Sequence, residues 1–402
     1  MLNKIVIILT TILLLSNCSV DKKFVKLFKE GYTQEKPFKV EIPFEYRLGL
    51  LIIKVEINGK MYDFVLDSGG INIISKELAE TLESKDLFSK NIGGHQGKRQ
   101  PMDFTKIKEI SIGGVKFEDT PCGIGDFNQS LELSCIGLDG MIGSNLMRLA
   151  VWRIDFKDQI ITITNTKESL SFEAITKQIP FYTDPTHQPY CDLKINGVEE
   201  RNVNIDLGSV GGFSVSYGNY EKIQREVSKN KKAIQHGYYG SGYYGFGKID
   251  STYYLQVNKL STGEIELENQ ILKFSKSASP TIGTSFFKNY HLVMNWNDKE
   301  ILLTPHTDYD NQKFIDNGIT LNKKDGALRI ASIIKESEAE LLGIQLGDKI
   351  IQIDGKDYTD ITEEEYCDFI LQNNWNNPRM NIVVSRGGEQ LSFDLNKYVI
   401  IE

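Results

Sequence analysis

Phe64-Val65-Leu66-Asp67-Ser68-Gly69-Gly70 has a counterpart 139 residues downstream, Val203-Asn204-Ile205-Asp206-Leu207-Gly208-Ser209. Each is a largely apolar run, the mark of a strand, that ends on an aspartate and a glycine turn. Working outward, Ile42-Pro43-Phe44 recurs as Ile179-Pro180-Phe181 at an offset of 137, and Ile57-Asn58-Gly59 as Ile195-Asn196-Gly197 at 138. Met141-Ile142-Gly143-Ser144 returns as Thr281-Ile282-Gly283-Thr284 at 140, and a similar apolar stretch follows each copy. One tripeptide match is chance. Four in the same order, with the offset drifting by single residues, are an internal duplication.

The residues between these landmarks read as β-structure. They form short apolar or alternating runs rich in Ile, Val and Phe, broken by Asn-Gly, Gly-Gly and Asp-Gly pairs. Ile53 to Ile57 and Met61 to Leu66 make a hairpin about Asn58-Gly59, a pair that accepts the left-handed backbone of a two-residue turn. Helical patterning is scarce. Ser75 to Leu82, with a capping Ser and apolar Leu78, Ala79 and Leu82, reads as a short helix, and Tyr220 to Ser228 as its counterpart.

A strand ending in Asp-Ser-Gly is by itself only a turn signal. Position gives Asp67 and Asp206 their weight. If two copies of one unit pack about a pseudo-two-fold axis, equivalent loops meet there and the carboxylates become neighbours. Two carboxylates that close do not both ionise; one keeps a proton, and their pKa values move apart. The ionised oxygen can then take a proton from water while the protonated partner polarises a carbonyl. Peptide hydrolysis without a covalent intermediate requires those two acts.

On these residues the chain resembles the aspartic proteases of the retropepsin/pepsin type. Each lobe of that family carries Asp-Thr/Ser-Gly after a strand, and later a hydrophobic-hydrophobic-Gly segment behind the Asp loop. Asp67-Ser68-Gly69 and Met141-Ile142-Gly143 carry the pattern fully. Asn91-Ile92-Gly93-Gly94-His95-Gln96-Gly97 is similar to the glycine-rich flap of retropepsin-like bacterial proteins. The resemblance spans residues 37–305 and is stronger in the first copy. It implies a mostly β, duplicated, bilobal β-barrel fold, with lobes at 37–166 and 167–307. It also implies an endopeptidase with Asp67 and Asp206 as its catalytic pair, and Ser68, Gly69, Gly208 and Ser209 supporting the loops. Peptide or protein substrates follow; no cofactor, no metal and no obligate homodimer are needed, because the duplication supplies both halves.

The second copy departs from the pattern. Leu207 stands where the family has Thr or Ser, whose hydroxyl pins the two Asp loops to one another, and Leu has nothing to donate. Thr281-Ile282-Gly283 is a partial match. Ser209 can hydrogen-bond the outer oxygen of Asp206, whereas Gly70 cannot do so for Asp67. Two readings of function stay open: an aspartic endopeptidase, and a catalytically degenerate module that binds peptides or proteins.

His236-Gly237-Tyr238-Tyr239-Gly240-Ser241-Gly242-Tyr243-Tyr244-Gly245-Phe246-Gly247 reads as the lid of the second lobe. Its glycines supply hinge freedom, and its tyrosines bring flat contact area with few rotors to immobilise. Gly93, Gly94, Tyr239 and Tyr243 are the flap candidates. Ser241 lacks the Gly-x-Ser-x-Gly spacing and the strand–turn–helix setting of a serine nucleophile.

Beyond a polar linker at 308–314 lies a module with its own logic. Gly318-Ile319-Thr320-Leu321, a strand from Leu328 to Ile334, Leu346-Gly347-Asp348, Ile353-Asp354-Gly355, an amphipathic helix from Thr362 to Gln372 and a closing hairpin through Gly387-Gly388 follow without slack. This run resembles a PDZ domain, a small α+β fold, over 315–402. The resemblance implies that Gly318, Ile319, Thr320 and Leu321 form a carboxylate-binding loop. A peptide would add as a strand beside the Thr362 helix, so that the module recruits or gates substrates.

At the other end, Lys4, an apolar run over residues 5–15 and Leu15-Ser16-Asn17-Cys18 resemble a bacterial lipoprotein signal. That reading makes 1–17 a signal peptide, Cys18 the lipidated residue and 18–36 a tether, and it places the chain in the cell envelope, anchored to a membrane through acyl chains. The 46 Lys and Arg against 54 Asp and Glu, net −8, give no general attraction for nucleic acid. Cys122, Cys135, Cys191 and Cys367 remain. Cys122 and Cys135 bracket one loop, which makes them a candidate disulfide; nothing pairs Cys191 with Cys367, buried free thiols are the alternative, and the sequence leaves the pairing of the four open. The scattered histidines and cysteines show no zinc-ligand spacing.

Overall fold

Two-residue turns set the strand registers. Asn58 and Gly59 adopt φ of 52° and 76°, and Asn196 and Gly197 φ of 45° and 85°. These mirror-type turns fit the twist of the strands they join, Leu50–Ile57 to Lys60–Asp67 and Pro189–Ile195 to Val198–Ile205. The computed structural model describes residues 22–34, 36–93, 99–238, 241–242, 245–276, 279–307, 309, 312–372 and 377–402. Gly94, Tyr239, Tyr243 and Cys18 lie outside the described residues, and with them the stretch read as a lipobox.

The duplication is visible strand by strand. Each lobe has a 14-residue strand followed by one of 11: Arg99–Ile112 and Val115–Gly125 in the first, Ile249–Thr262 and Ile265–Ser275 in the second. The short helix Lys76–Thr81, capped by the Ser75 hydroxyl on the Leu78 amide, has its counterpart in Tyr217–Ile223. A six-stranded sheet joins the lobes, in the order 177–180, 300–305, 290–295, 151–155, 160–164, 39–43, three strands from each. At its centre Val151–Asp155 runs antiparallel to Tyr290–Asn295, with Arg153 opposite Val293. In a two-fold antiparallel pair only equivalent residues face each other at the axis. Val293 is 140 residues past Arg153, the same offset as Thr281 from Met141, so the pseudo-axis passes through this pair.

One large core fills both lobes and the sheet between them, from Phe38 to Tyr309. The stretch read as a tether is docked from residue 22 onward: Phe24 and Phe28 bury against Phe104, and Tyr32–Thr33 pairs with the strand Val115–Gly125. Apolar side chains at 24, 27 and 28 explain the docking. The stretch read as a linker is fastened too, through a buried Tyr309 and hydrogen bonds from Gln270 to the Tyr309 carbonyl and from Gln256 to the Gln312 carbonyl. The C-terminal module has a separate core built on Leu328, Ile350, Tyr366, Phe369 and Ile382. Its helix Glu363–Leu371 starts with a full capping box between Thr362 and Glu365. Among the described residues no helix is long and apolar enough to cross a membrane.

The cysteine expectation is corrected. Cys135 bonds to Cys367, 232 residues away, while Cys122 and Cys191 are free. Cys122 faces the lobe interior, fully buried, whereas the helix Leu131–Ile136 turns Cys135 outward to the C-terminal module. Burial pushes the Cys191 thiol up to about 12 and raises Cys122 as well, so both are inert at neutral pH.

Trp152 lies fully buried in the central sheet. It stacks on Phe117 and donates its indole N–H to the Met147 carbonyl at 2.8 Å. Trp152→Ala should destabilise the bilobal unit by about 3–5 kcal/mol through loss of that volume and bond, read as a lower urea midpoint.

Candidate active site

In each lobe an apolar strand delivers the aspartate to the axis and a second segment braces it. Gly140–Gly143 lies parallel to the end of Lys60–Asp67, with Gly143 opposite Asp67. It also pairs on its other side with Ile73–Ser75. Thr281–Ile282 lies likewise between Val198–Ile205 and Phe213–Ser216, and the Asp206 amide donates to the Ile282 carbonyl at 3.0 Å. Both loops are therefore held in the same threaded arrangement.

The loops meet reciprocally. A methyl added at Gly69 would lie 2.3 Å from Asp206 Cγ, and one added at Gly208 would lie 2.4 Å from Asp67 Cγ. Each glycine is thus the wall against which the opposite carboxylate rests, and no side chain fits at either position. The two carboxylates therefore face one another across the axis. Asp67 Oδ1 is buried and receives no donor, while the Gly208 amide donates to Asp206 Oδ1 at 2.8 Å. Burial, and after it the adjoining Asp206 carboxylate, hold Asp67 well above the ordinary carboxylate range. The pair therefore retains a proton where isolated carboxylates have lost theirs.

Ser68 and Leu207 make the asymmetry physical. Ser68, fully buried, donates to the Ile205 carbonyl at 2.8 Å and accepts from the Leu207 amide at 3.1 Å, reaching across to the other lobe. Leu207 returns no such bond; its side chain is fully buried in the apolar core. One hydroxyl does the cross-loop work that the resemblance assigns to two. Ser209 supports its loop through the backbone, its carbonyl accepting from both the amide and the hydroxyl of Thr284 at 2.8 and 3.1 Å.

Ser144 does the same behind Asp67, bonding the Gly70 carbonyl through its amide at 3.0 Å and its hydroxyl at 2.9 Å. Ser144 and Thr284 were not singled out from the sequence, although the repeat keeps a hydroxyl at both places. Asn72 and Asn145 were also missed. Asn72 accepts from the Gly143 amide, Asn145 from the Asn72 amide, and both side chains donate to the Pro121 carbonyl. Nothing in the repeat marks them, since Gly211-Gly212 and Ser285 occupy the equivalent stretch and brace it with backbone bonds.

Gly93 ends the strand Phe88–Gly93, one arm of the first-lobe hairpin. In the second lobe the arms are Lys232–Tyr238 and Ile249–Thr262, and Gly245 beyond them comes near the Gln129 carbonyl of the first lobe. A cavity of about 630 Å³ between Tyr46, Val210, Lys288 and His306 borders neither aspartate and is not this site.

Residues 53–146 match the aspartyl protease family model. Residues 310–374 match the PDZ domain model. The chain thus carries an aspartyl protease domain and a PDZ domain. Neither model covers residues 147–309; the likeness of that lobe to the first rests on the repeat and on the shared sheet. Among solved structures, the chain is similar to the crystal structure of Basic 7S globulin from soybean, at 9% identity and a TM-score of 0.39, over 67% of this chain and 95% of that one. A search of curated proteins gives no match.

In the PDZ domain the strand Ile319–Lys324 follows Gly318 and pairs with Ala327–Ile334. The loop read as carboxylate-binding has two amides already engaged. Gly318 donates to Asp316 Oδ1 at 2.7 Å and Ile319 to Asn317 Oδ1 at 3.2 Å.

Ser68→Ala should cost about 1–3 kcal/mol, because it leaves the buried Leu207 amide without an acceptor; the shift in denaturation midpoint measures it. The Asp67 shift fixes a sign as well. With a pKa higher folded than unfolded, its contribution to stability is complete below pH about 4 and is lost as pH rises through the raised value. Asp67→Asn should therefore melt above wild type at pH 7 and converge with it in acid.

Proposed function

We propose that the chain is an aspartic endopeptidase in which Asp67 and Asp206 share one proton and activate a water between them. The observation that supports this most directly is the reciprocal contact of each carboxylate with the opposite glycine, which leaves the pair side by side with one oxygen undonated. The ionised member of the pair takes a proton from water as its oxygen attacks the peptide carbonyl carbon. The protonated member gives its proton to the carbonyl oxygen, forming a neutral tetrahedral diol. Proton return to the amide nitrogen then lets the C–N bond break, and the pair is restored with one proton. Gly69 and Gly208 keep the carboxylates in contact, and Ser68, Ser144 and Thr284 hold the loops still while the charge moves.

On this reading the PDZ domain gates access of peptide or protein substrates, and Cys18 carries the lipid that tethers the enzyme to a bacterial envelope membrane. A second reading, a binding protein without catalysis, is favoured by Leu207 alone, since a dyad with one cross-loop hydroxyl is less firmly oriented.

A quenched-fluorescence peptide library assayed from pH 3 to 8 separates the two. Wild type should cleave, with an alkaline limb set by the raised Asp67 proton, and Asp67→Asn and Asp206→Asn should each lose about a thousandfold. Turnover by either variant at the wild-type rate would sink the catalytic reading.

A further inference from the structure

The two lobes differ in length at two places. Between the 11-residue strand and the threaded segment the first lobe has fourteen residues, 126–139, where the second has five, 276–280. The excess holds the helix Leu131–Ile136, which has no counterpart in the second lobe. Conversely, the flap hairpin is longer in the second lobe, with ten residues between its arms against five. The helix meets the PDZ domain, and so does one arm of the longer hairpin, Lys232–Tyr238.

The helix Leu131–Ile136 packs against the PDZ helix Glu363–Leu371, at the Tyr366 end of its seam with the strand Ile319–Lys324. Leu131 and Cys135 pack on the PDZ core, as Leu321 and Ile370 do from within the domain. Tyr366 donates its hydroxyl to Glu132 at 3.0 Å and receives the backbone N–H of Lys323, so one phenol links the strand, the PDZ helix and the first lobe. Cys135–Cys367 closes the contact covalently. That seam is where this type of domain takes a peptide as an added strand.

We propose that the helix Leu131–Ile136 is the resident occupant of the PDZ groove, and that the Cys135–Cys367 disulfide is the latch that keeps peptides out until it is reduced. Both cysteines are half-buried, within reach of a small dithiol, whereas Cys122 and Cys191 are sealed in the core at 0% and 2% exposure. One thiolate of the dithiol attacks a latch sulfur to form a mixed disulfide. The second displaces it, leaving Cys135 and Cys367 as thiols and the dithiol oxidised to its own disulfide. The PDZ core is complete without the helix, which adds only Leu131 and Cys135 to it, so release separates two folded surfaces. The helix stays with the first lobe through Ile136, buried there.

The PDZ domain does not drift free. The flap arm Lys232–Tyr238 pairs with the PDZ strand Ala327–Ile334, Gln235 opposite Ile334 and Gly237 opposite Ser332, in one continuous sheet. A methyl at Gly237 would lie 2.3 Å from the Ala331 carbonyl, so this join requires a bare backbone. Unlatching therefore frees the domain from the first lobe while it remains part of the second-lobe flap.

The test uses the full chain carrying Asp67→Asn, so that no peptide is cleaved on the proposed reading, and a fluorescein-labelled pool of random decapeptides read by anisotropy; the latch is then judged by binding alone. Reduction with dithiothreitol should tighten binding at least about tenfold, as expected when the competent fraction rises. Hydrogen exchange over 319–324 should accelerate, and reoxidation should reverse both, excluding unfolding as the cause. Cys135→Ser should bind without reductant. Equal binding by oxidised and reduced protein, no binding by either, or Cys135→Ser behaving as the oxidised parent overturns the proposal.

Discussion

Two like charges pressed together at a crossing of loops are the constraint on which this structure turns. Left to themselves, Asp67 and Asp206 would move apart, since neighbouring ionised carboxylates repel strongly in a medium of low polarity. The fold removes the room to do so. Each carboxylate is backed by the other lobe's glycine, and each loop is threaded behind by a strand that leads back to the shared six-stranded sheet. Since the loops cannot yield, the proton distribution does, and the pair keeps a proton. Rigid support and a shifted pKa are two consequences of one packing arrangement.

The lobes reach that arrangement by different means, and the difference lies in side chains. Behind Asp67 the bracing comes from the amides of Asn72 and Asn145; behind Asp206 the equivalent bonds come from backbone at Gly211, Gly212 and Gly283. Across the axis the first lobe supplies Ser68, and the second supplies only an acceptor carbonyl and an amide. Leu207 in exchange adds a buried aliphatic side chain to the core. The second lobe leans more on apolar burial and the first on directed hydrogen bonds. Orientation of Asp206 therefore depends on how firmly the lobes are pressed together.

What the sequence made legible follows the range of the physics involved. Asn58-Gly59, Asn196-Gly197 and Gly387-Gly388 announced their hairpins because local backbone geometry dictates those residues. The Asp loops were legible because a repeat compares the chain with itself. The two unequal segments were not, because their lengths cancel. The offset is 139 at the aspartates, rises to 150 between Ile112 and Thr262, and returns to 140 at Thr281. An extension in one lobe and an excess in the other leave the flanking landmarks almost in register. The disulfide was hidden for a related reason: Cys135 meets Cys367 only because a separate module docks there, and the nearer Cys122 points the other way into the core.

That cancellation bears on how the third module is joined. A duplicated pair needs no further partner to bring its aspartates together, so additions to it are free to serve something else. Here the added helix joins the PDZ domain through a disulfide, and an arm of the longer hairpin joins it through a continued sheet. The two joins differ in kind. A strand pairing spread over several backbone bonds opens only with the sheet, whereas a single disulfide over a small apolar contact is one chemical bond from release. The helix side sits a few residues upstream of Gly140–Gly143, the strand that abuts Asp67, and the Asp139 carboxylate between them accepts the Asp63 amide on the Asp67 strand. The sheet side runs through the hairpin arm Lys232–Tyr238. The PDZ domain is thus joined to both lobes, to the first next to the segment behind Asp67 and to the second through a continued sheet. On the proposed catalytic reading, its groove and the cleft between the lobes are not independent sites.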